Sequence, residues 1–248
     1  LGDVYKRQVL NCILWEEALN RIDGKVFRTG NQVKILGGSY NEKYNNCLIT
    51  SVELVKEAKL GLDKDERDKL FNAIVEYANE IEDEELKKYV TELLFEHEEQ
   101  FKIAPAARLM HHNYLGGLVE HTFECLEIAK CLISNLYKKV DKSCVFAACI
   151  LHDFGKIFEY KIDTESGLIE YDEKFPKEWL THSQWGFSNC MAHGFKTVAK
   201  MIAAHHGRAE WGAIVDLNEK DLDPLLYLVH HIDDLSAKFG RTAISDLG

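Results

Sequence analysis

The chain has 248 residues, 46% hydrophobic and 29% charged, enough apolar material for a real core in one large domain or two small ones. Its 41 acids against 30 bases give a formal net charge of −11, which excludes a protein that coats nucleic acid by bulk positive charge, since phosphate neutralisation needs a surplus of Lys and Arg. An enzyme that holds one strand at a metal centre stays permitted, and with no run of 18 apolar residues a transmembrane helix is excluded.

The opening residues 1–8 (LGDVYKRQ) match no targeting peptide and lead into no element, so they read as a translated remnant outside the fold. Residues 9–60 read as β-rich: 24–27, 31–38 and 45–52 are short β-prone runs separated by Gly and Asn turns. Three short strands are too few for a sandwich and point to a small barrel, incomplete if the chain starts late. Residues 1–60 hold nine bases against seven acids, whereas residues 63–99 hold fourteen acids against five bases. Most of the acidity therefore lies on one segment, where Leu70, Ile74, Tyr77, Ala78 and Ile81 recur at helical spacing and the charges form a solvated face.

From residue 63 onward the pattern is helical, and the periodicity predicts helices over 64–81, 83–99, 116–137, 143–154, 177–190, 196–206 and 224–239. Ser143 is the expected N-cap of the fourth. Gly155 and Gly207 are the expected stops, and Asp223-Pro224 reads as an N-cap with proline at the first helical position. Residues 158–162 and 168–171 flank Thr164-Glu165-Ser166-Gly167, a β-hairpin inserted between helices. Seven cysteines form no CxxC pair, and their count is odd. With no secretory signal at the start, they point to reduced thiols in the cytoplasm, with Cys125, Cys144 and Cys149 as small core residues.

Eleven histidines are many for this length, and their placement carries the chemistry. In chain order come His111-His112, His121 in LGGLVEHT, His152-Asp153 in LHDFGK, His182 in LTHSQWG, His205-His206 in AAHHGR, and His230-His231 with Asp233 in LVHHIDDL. Each lies in or at the end of a predicted helix with apolar flanks. A histidine beside an aspartate at a helix end can turn both side chains toward one cation while neighbouring helices supply the rest. Imidazoles with carboxylates suit borderline divalent metals better than calcium, which prefers oxygen.

The order H…HD…H…HH…D resembles the HD phosphohydrolase superfamily, and LHDFGK is similar to its HD-x-G-K variant. The stretch from Pro105 to Thr122 (PAARLMHHNYLGGLVEHT) resembles the YhaM-like 3′→5′ exoribonuclease subgroup, in which an OB-fold precedes the HD domain. Residues 156–160, the lone His182, and HHG followed by Glu210-Trp211-Gly212 agree with it. No GYP signature of cyclic-dinucleotide phosphodiesterases follows HHG.

The resemblance implies a mainly α fold: an HD helical bundle over 63–248, preceded over 1–60 by a small, incomplete OB-like β region. An incomplete barrel cannot close its sheet, which bears on RNA binding through that part. By carry-over, His121, His152, Asp153 and Asp233 would hold one metal. His182, His205 or His206 would complete a second site, with Asp153 as bridge. Asp234 is the neighbouring alternative to Asp233, which lies three residues after His230 on one helix face. Lys156 would neutralise a phosphate oxygen and act with Asp153 in catalysis. Arg108, His112, Tyr114 and Arg208 would contact substrate.

Two divalent cations about 3.5–4 Å apart polarise a phosphoryl group and activate water for in-line attack. Manganese is the first expectation, with iron, zinc, nickel or magnesium compatible. The implied activity is hydrolysis of single-stranded RNA, or DNA, from the 3′ end to nucleoside 5′-monophosphates, with no membrane partner and the oligomeric state open. Two alternatives stand beside it. One is a phosphohydrolase of small nucleotides; the other is a nucleic-acid-binding or regulatory module with a structural metal site.

Overall fold

The computed structural model describes residues 11–22, 26, 31–56, 60–108, 111–135, 140–178 and 181–239. The chain divides into two compact units, residues 1–59 and residues 60–248. The expectations for residues 1–8 and, apart from Val26, for a strand over 24–27 lie outside the described residues.

In the first unit, β1 (Asn11–Ile13) is followed by the single turn α1 (Glu16–Leu19) and a hairpin of β2 (Gln32–Asn41) and β3 (Asn46–Lys56). The sheet order is β1-β3-β2, with β1 parallel to β3 and β2 antiparallel to it. Strand β2 runs on past Gly38 because Gly37-Gly38 absorbs register shifts instead of ending the strand. Bulging there is what a side-chain-free position permits, since a Cβ on Gly38 would sit 2.5 Å from the Leu48 carbonyl oxygen.

The second unit is a helical bundle. Its elements are α2 (Lys64–Asn79), α3 (Glu84–Glu96), α4 (Glu98–Ile103), α5 (Gly117–Asn135), α6 (Lys142–Leu151), α7 (Lys156–Glu159), β4 (Tyr160–Ile162), β5 (Ile169–Tyr171), α8 (Phe175–Glu178), α9 (His182–Ala192), α10 (Lys196–Ala204) and α11 (Pro224–Phe239). Helix α6 is the central rod, touched by α2, α3, α5, α10 and α11. That position requires its sequence, KSCVFAACIL, to be apolar all round, and every residue from Val145 to Leu151 is buried. Around it pack Phe71, Ile74, Leu94, Phe101, Leu118, Leu126, Phe154, Met201, Val229 and Ile232. The acidic segment forms α2 and α3, whose charges face outward while Phe71, Ile74, Tyr77, Leu86, Val90 and Leu94 face the core. Each of these helices begins on an aspartate: Asp63 forms a capping box with Glu66, and Asp83 accepts from the Leu86 N–H.

Four local expectations are corrected. The helix expected over 83–99 breaks at His97, whose φ of −116° and ψ of 22° leave the helical region. The His97 ring packs edge-on against Phe154 and Phe158, and the break lets α4 turn Phe101 into the core. The N-cap of α6 is Asp141, which accepts from the Cys144 N–H. Ser143 instead accepts from the Glu82 N–H at 2.9 Å, tying α6 to the turn before α3. The helix expected over 177–190 is two helices, because Thr181 takes an extended conformation and caps α9 through Gln184. Gly155 is no left-handed stop: its φ is −59°, and it opens α7. Gly207 does end α10's turn, with φ of +80°. The inserted hairpin forms as β4 and β5, with Phe158 and Glu159 spent in α7.

Candidate metal centre

The site lies where α5, the end of α6, the start of α9, the end of α10 and α11 meet. His121 comes from α5, His152 and Asp153 from the end of α6, and Asp233 from α11. Their side chains converge: His121 Nε2 lies 3.2 Å from His152 Nε2, 3.5 Å from Asp153 Oδ2 and 3.2 Å from Asp233 Oδ1. His152 Nε2 is 3.6 Å from Asp153 Oδ2 and 3.7 Å from Asp233 Oδ1. Asp234, the alternative one position on, is half exposed and 3.6 Å from Lys238 Nζ.

A second group gathers on the other oxygen of Asp153. His182 Nε2 is 3.4 Å and His205 Nε2 3.7 Å from Asp153 Oδ1, and His182 Nε2 is 3.3 Å from His206 Nε2. Asp153 thus turns one oxygen to each group. Gly155 makes the second group possible. A Cβ there would lie 2.8 Å from His182 Cα and 2.9 Å from its carbonyl oxygen, so only glycine lets the start of α9 come so near Asp153.

The hydrogen bonds behind these side chains fix which nitrogen faces inward. His152 Nδ1 donates to the Cys149 carbonyl (2.9 Å), His205 Nδ1 to the Ile202 carbonyl (2.6 Å) and His182 Nδ1 to the Glu159 carboxylate (2.5 Å). His121 Nδ1 donates to Ser236 Oγ (2.8 Å), whose own hydroxyl donates to Glu124 (2.7 Å). In the neutral form of each of these four imidazoles the proton therefore sits on Nδ1, which leaves Nε2 to face the centre. Two such lone pairs 3.2 Å apart repel unless a positive charge lies between them.

The electrostatics of the site agree. Burial alone would raise Asp153 and Asp233. For Asp153 the Lys156 ammonium and the surrounding histidines outweigh burial, and for Asp233 His121 and His152 do, so both carboxyls sit well below the usual range. Burial pushes His152 down, but Asp153 and Asp233 outweigh it and raise this one imidazole. Burial lowers His121, His205 and His206, the last to about 4 with help from the neighbouring His182. Asp153 Oδ1 and His205 Nε2 are buried without a hydrogen-bond partner. Acceptor atoms that are buried, convergent and unpartnered fit divalent cations of the kind held by nitrogen and oxygen. Cys125 Sγ, 3.7 Å from His121 Nε2, stays a neutral thiol because burial and nearby anionic groups raise it well above its ordinary value.

The remaining sequence candidates are placed as follows. Lys156 is buried, with Nζ 2.5 Å from Asp153 Oδ2. His112 is fully buried with φ of +50°, its Nε2 3.2 Å from Glu124. His111 faces it, Nδ1 to Nδ1 at 3.2 Å, and is pushed down to about 3, chiefly by burial. These two and His121 cluster closely enough to share an ion, but both nitrogens of His121 are already committed. Tyr114 donates to Glu120 at 2.5 Å. Arg108 is exposed and lies over the Tyr171 ring, and Arg208 lies over Trp211, so neither is among the converging groups. His230 donates to the His205 carbonyl and holds that turn. Sequence reasoning missed Glu159, Glu124 and Ser236. The last two lie three residues beyond His121 and Asp233, a helical spacing that could have flagged them.

Comparison with known proteins agrees with this geometry. Residues 118–238 match the HD domain family. The chain is 29% identical over 242 residues to the 3′-5′ exoribonuclease YhaM of Geobacillus sp. (strain WCH70), an alignment covering 91% of this chain and 71% of that protein. No solved structure matches. Among the described residues, no helix is long and apolar enough to cross a membrane.

Proposed function

We propose that this chain, which carries an HD domain across residues 118–238, is a metal-dependent phosphodiesterase that shortens single-stranded RNA, and DNA, from the 3′ end to nucleoside 5′-monophosphates. The observation that carries the reading is the pair of side-chain groups sharing Asp153, one oxygen to each. His121, His152, Asp153 and Asp233 would hold one cation; His182, His205, His206 and the other oxygen of Asp153 would hold a second. Manganese is the first choice, with iron, zinc, nickel or magnesium admissible. When bound, two such cations polarise a phosphoryl group and supply an activated water.

The protein's own side chains do the positioning. Glu159, Ser236 and the carbonyls of Cys149 and Ile202 lock each imidazole with Nε2 inward. Lys156 keeps Asp153 ionised and would offset charge on a phosphoryl oxygen brought to the centre. Arg208 and Arg108, both exposed, are assigned to the substrate. His112 and Tyr114, engaged with Glu124 and Glu120, are assigned to shaping the loop that leads into α5. The YhaM relative, an exoribonuclease by name, supports a polynucleotide over a free nucleotide. In the first unit, the parallel β1–β3 pairing beside the β2–β3 hairpin supports the reading of later OB-type strands.

The test uses purified protein with manganese and an RNA labelled at its 5′ end. A ladder shortening from the 3′ end, with nucleoside 5′-monophosphates as product, is expected. An intact oligomer alongside hydrolysed dNTPs or NMPs would move the assignment to small nucleotides. An Asp153→Ala protein that loses its fold together with its metal would move it to a structural site.

A further inference from the structure

Trp211 is 58% exposed, an uncommon position for an indole, yet its loop is held firmly. The Trp211 and Ala213 N–H groups both donate to the Arg208 carbonyl at 3.0 Å. Ile214 and Leu217 donate back to Ala203 and Gly207, each at 2.8 Å. The Asp216 carboxylate accepts from Ala209 at 3.0 Å and Asn218 at 2.8 Å. The loop also closes on the centre itself. Gly212 has φ of +96°, and a Cβ there would meet His206 Nδ1 at 3.3 Å, so the residue after the indole lies against one of the converging imidazoles. Over the indole, 4.7 Å from its centre, lies the Arg208 guanidinium, itself half exposed and 3.2 Å from Glu210.

An exposed aromatic ring presented rigidly, with a guanidinium stacked on it, is the chemistry that takes an unpaired base. The planar cation adds attraction for the phosphodiester that follows. Building on the strand-at-the-centre reading above, we infer that Trp211 and Arg208 form a base-stacking platform that seats one base of the single strand whose 3′-terminal phosphodiester lies at the Asp153 centre. The platform reads a π-face and not base edges, so it tolerates sequence and demands a single strand. It also separates a polynucleotide from a lone phosphate ester, since only the former reaches the imidazoles and the indole together.

The test measures binding, not turnover. A 5′-fluorescein oligoadenylate with phosphorothioate linkages resists cleavage and is titrated with manganese-loaded protein by fluorescence anisotropy. Trp211→Ala is expected to bind it about tenfold more weakly, as loss of one stacked base implies, and Trp211→Phe within about threefold of wild type. An oligomer with abasic sites at its 3′ end should bind both proteins alike. Tryptophan fluorescence gives a second readout that survives a poorly folded alanine variant. Wild-type emission is quenched by the oligoadenylate and not by the abasic oligomer, and Trp211→Phe loses that quench. Equal affinity of wild type and Trp211→Ala, including no measurable binding by either, overturns the platform. So does a dimer in sedimentation that the substitution dissolves while RNA affinity holds, which would make the indole a contact between copies. The strand-shortening reading is judged separately, by whether wild type with manganese trims unmodified RNA.

Discussion

Gly155→Ala is the most informative single change, because it removes no metal-binding atom. The backbone accepts alanine there: φ is −59°, so the cost is steric. The new methyl would lie 2.8 Å from His182 Cα, 2.9 Å from its carbonyl oxygen and 3.0 Å from its Cβ. Carbon contacts relax at about 3.5–4.0 Å, so α9 must withdraw by roughly 0.5–1 Å from the end of α6. Overpacking of this kind costs about 1–3 kcal/mol, which for a chain of this size lowers Tm by roughly 2–12 °C. The functional effect should be larger than the structural one. Metal–ligand distances tolerate about 0.2 Å, while His182 Nε2 already lies 3.4 Å from Asp153 Oδ1 and 3.3 Å from His206 Nε2. Withdrawing His182 opens the second group and leaves His121, His152 and Asp233 untouched. Cation titration against a chromophoric chelator, with metal analysis after desalting, should show one tight cation per chain against the two expected of wild type. Turnover should fall by at least tenfold. A variant that melts as wild type, keeps both cations and keeps its rate would refute the packing argument and the assignment of His182 together.

Other outcomes follow from the same geometry. Ser236→Ala deletes the acceptor that orients His121 and should weaken cation binding 10–100-fold with little change in circular dichroism; unchanged affinity would remove Ser236 from the site. In metal-stripped protein, His206 and His111 are held at about 4 and about 3 by burial, against about 6.5 when unfolded. The unfolded chain then binds more protons below pH 6.5, so stability is full above that value and falls as pH drops toward 4. Each contributes a loss of about 2 kcal/mol by pH 5; urea unfolding in EDTA at pH 7.5 and 5 checks it, and a flat profile contradicts it. Finally, Cys125, Cys149 and Cys190 are buried, the last pushed up to about 12 by that burial. They should resist a thiol reagent in the native state, while the exposed Cys12 and Cys131 react within minutes.

The pattern of chemistry was more legible in the sequence than the joints that arrange it. Histidine next to aspartate at the end of an all-apolar helix admits few readings, since neither group is tolerated there unpaired. Asp233 shows the limit of such reasoning. Helical register with His230 selects it over Asp234, and it does face the centre. Yet His230 spends its nitrogen on the His205 carbonyl, and the true companion on that face is Ser236. Asp141 and Ser143 are both good caps two residues apart, and only the backbone decides that the serine serves Glu82. At Gly155 the residue type signals a special position, but the cause is a neighbour 27 residues away in sequence, which no local pattern contains. Glu159 lies in the stretch 156–160 that agrees with the resemblance, yet its bond to His182 was not legible, because a carboxylate supporting a histidine looks in sequence like any solvated acid.

The centre's charge explains why net charge constrains affinity and not chemistry. Asp153 and Asp233 are both held ionised, and Lys156 offsets one of them. Glu159 and Glu124 add negative charge directly behind His182 and Ser236. With most of its histidines held neutral, this cluster repels a phosphodiester more effectively than the distant acids of α2 and α3 do, because less water screens it. Two divalent cations would reverse its sign locally, whatever the chain's overall −11. On the proposed function, cation loading is therefore expected to precede substrate. The excess of carboxylates is what the cations require, and a more basic centre would bind phosphate directly and hold metal less well.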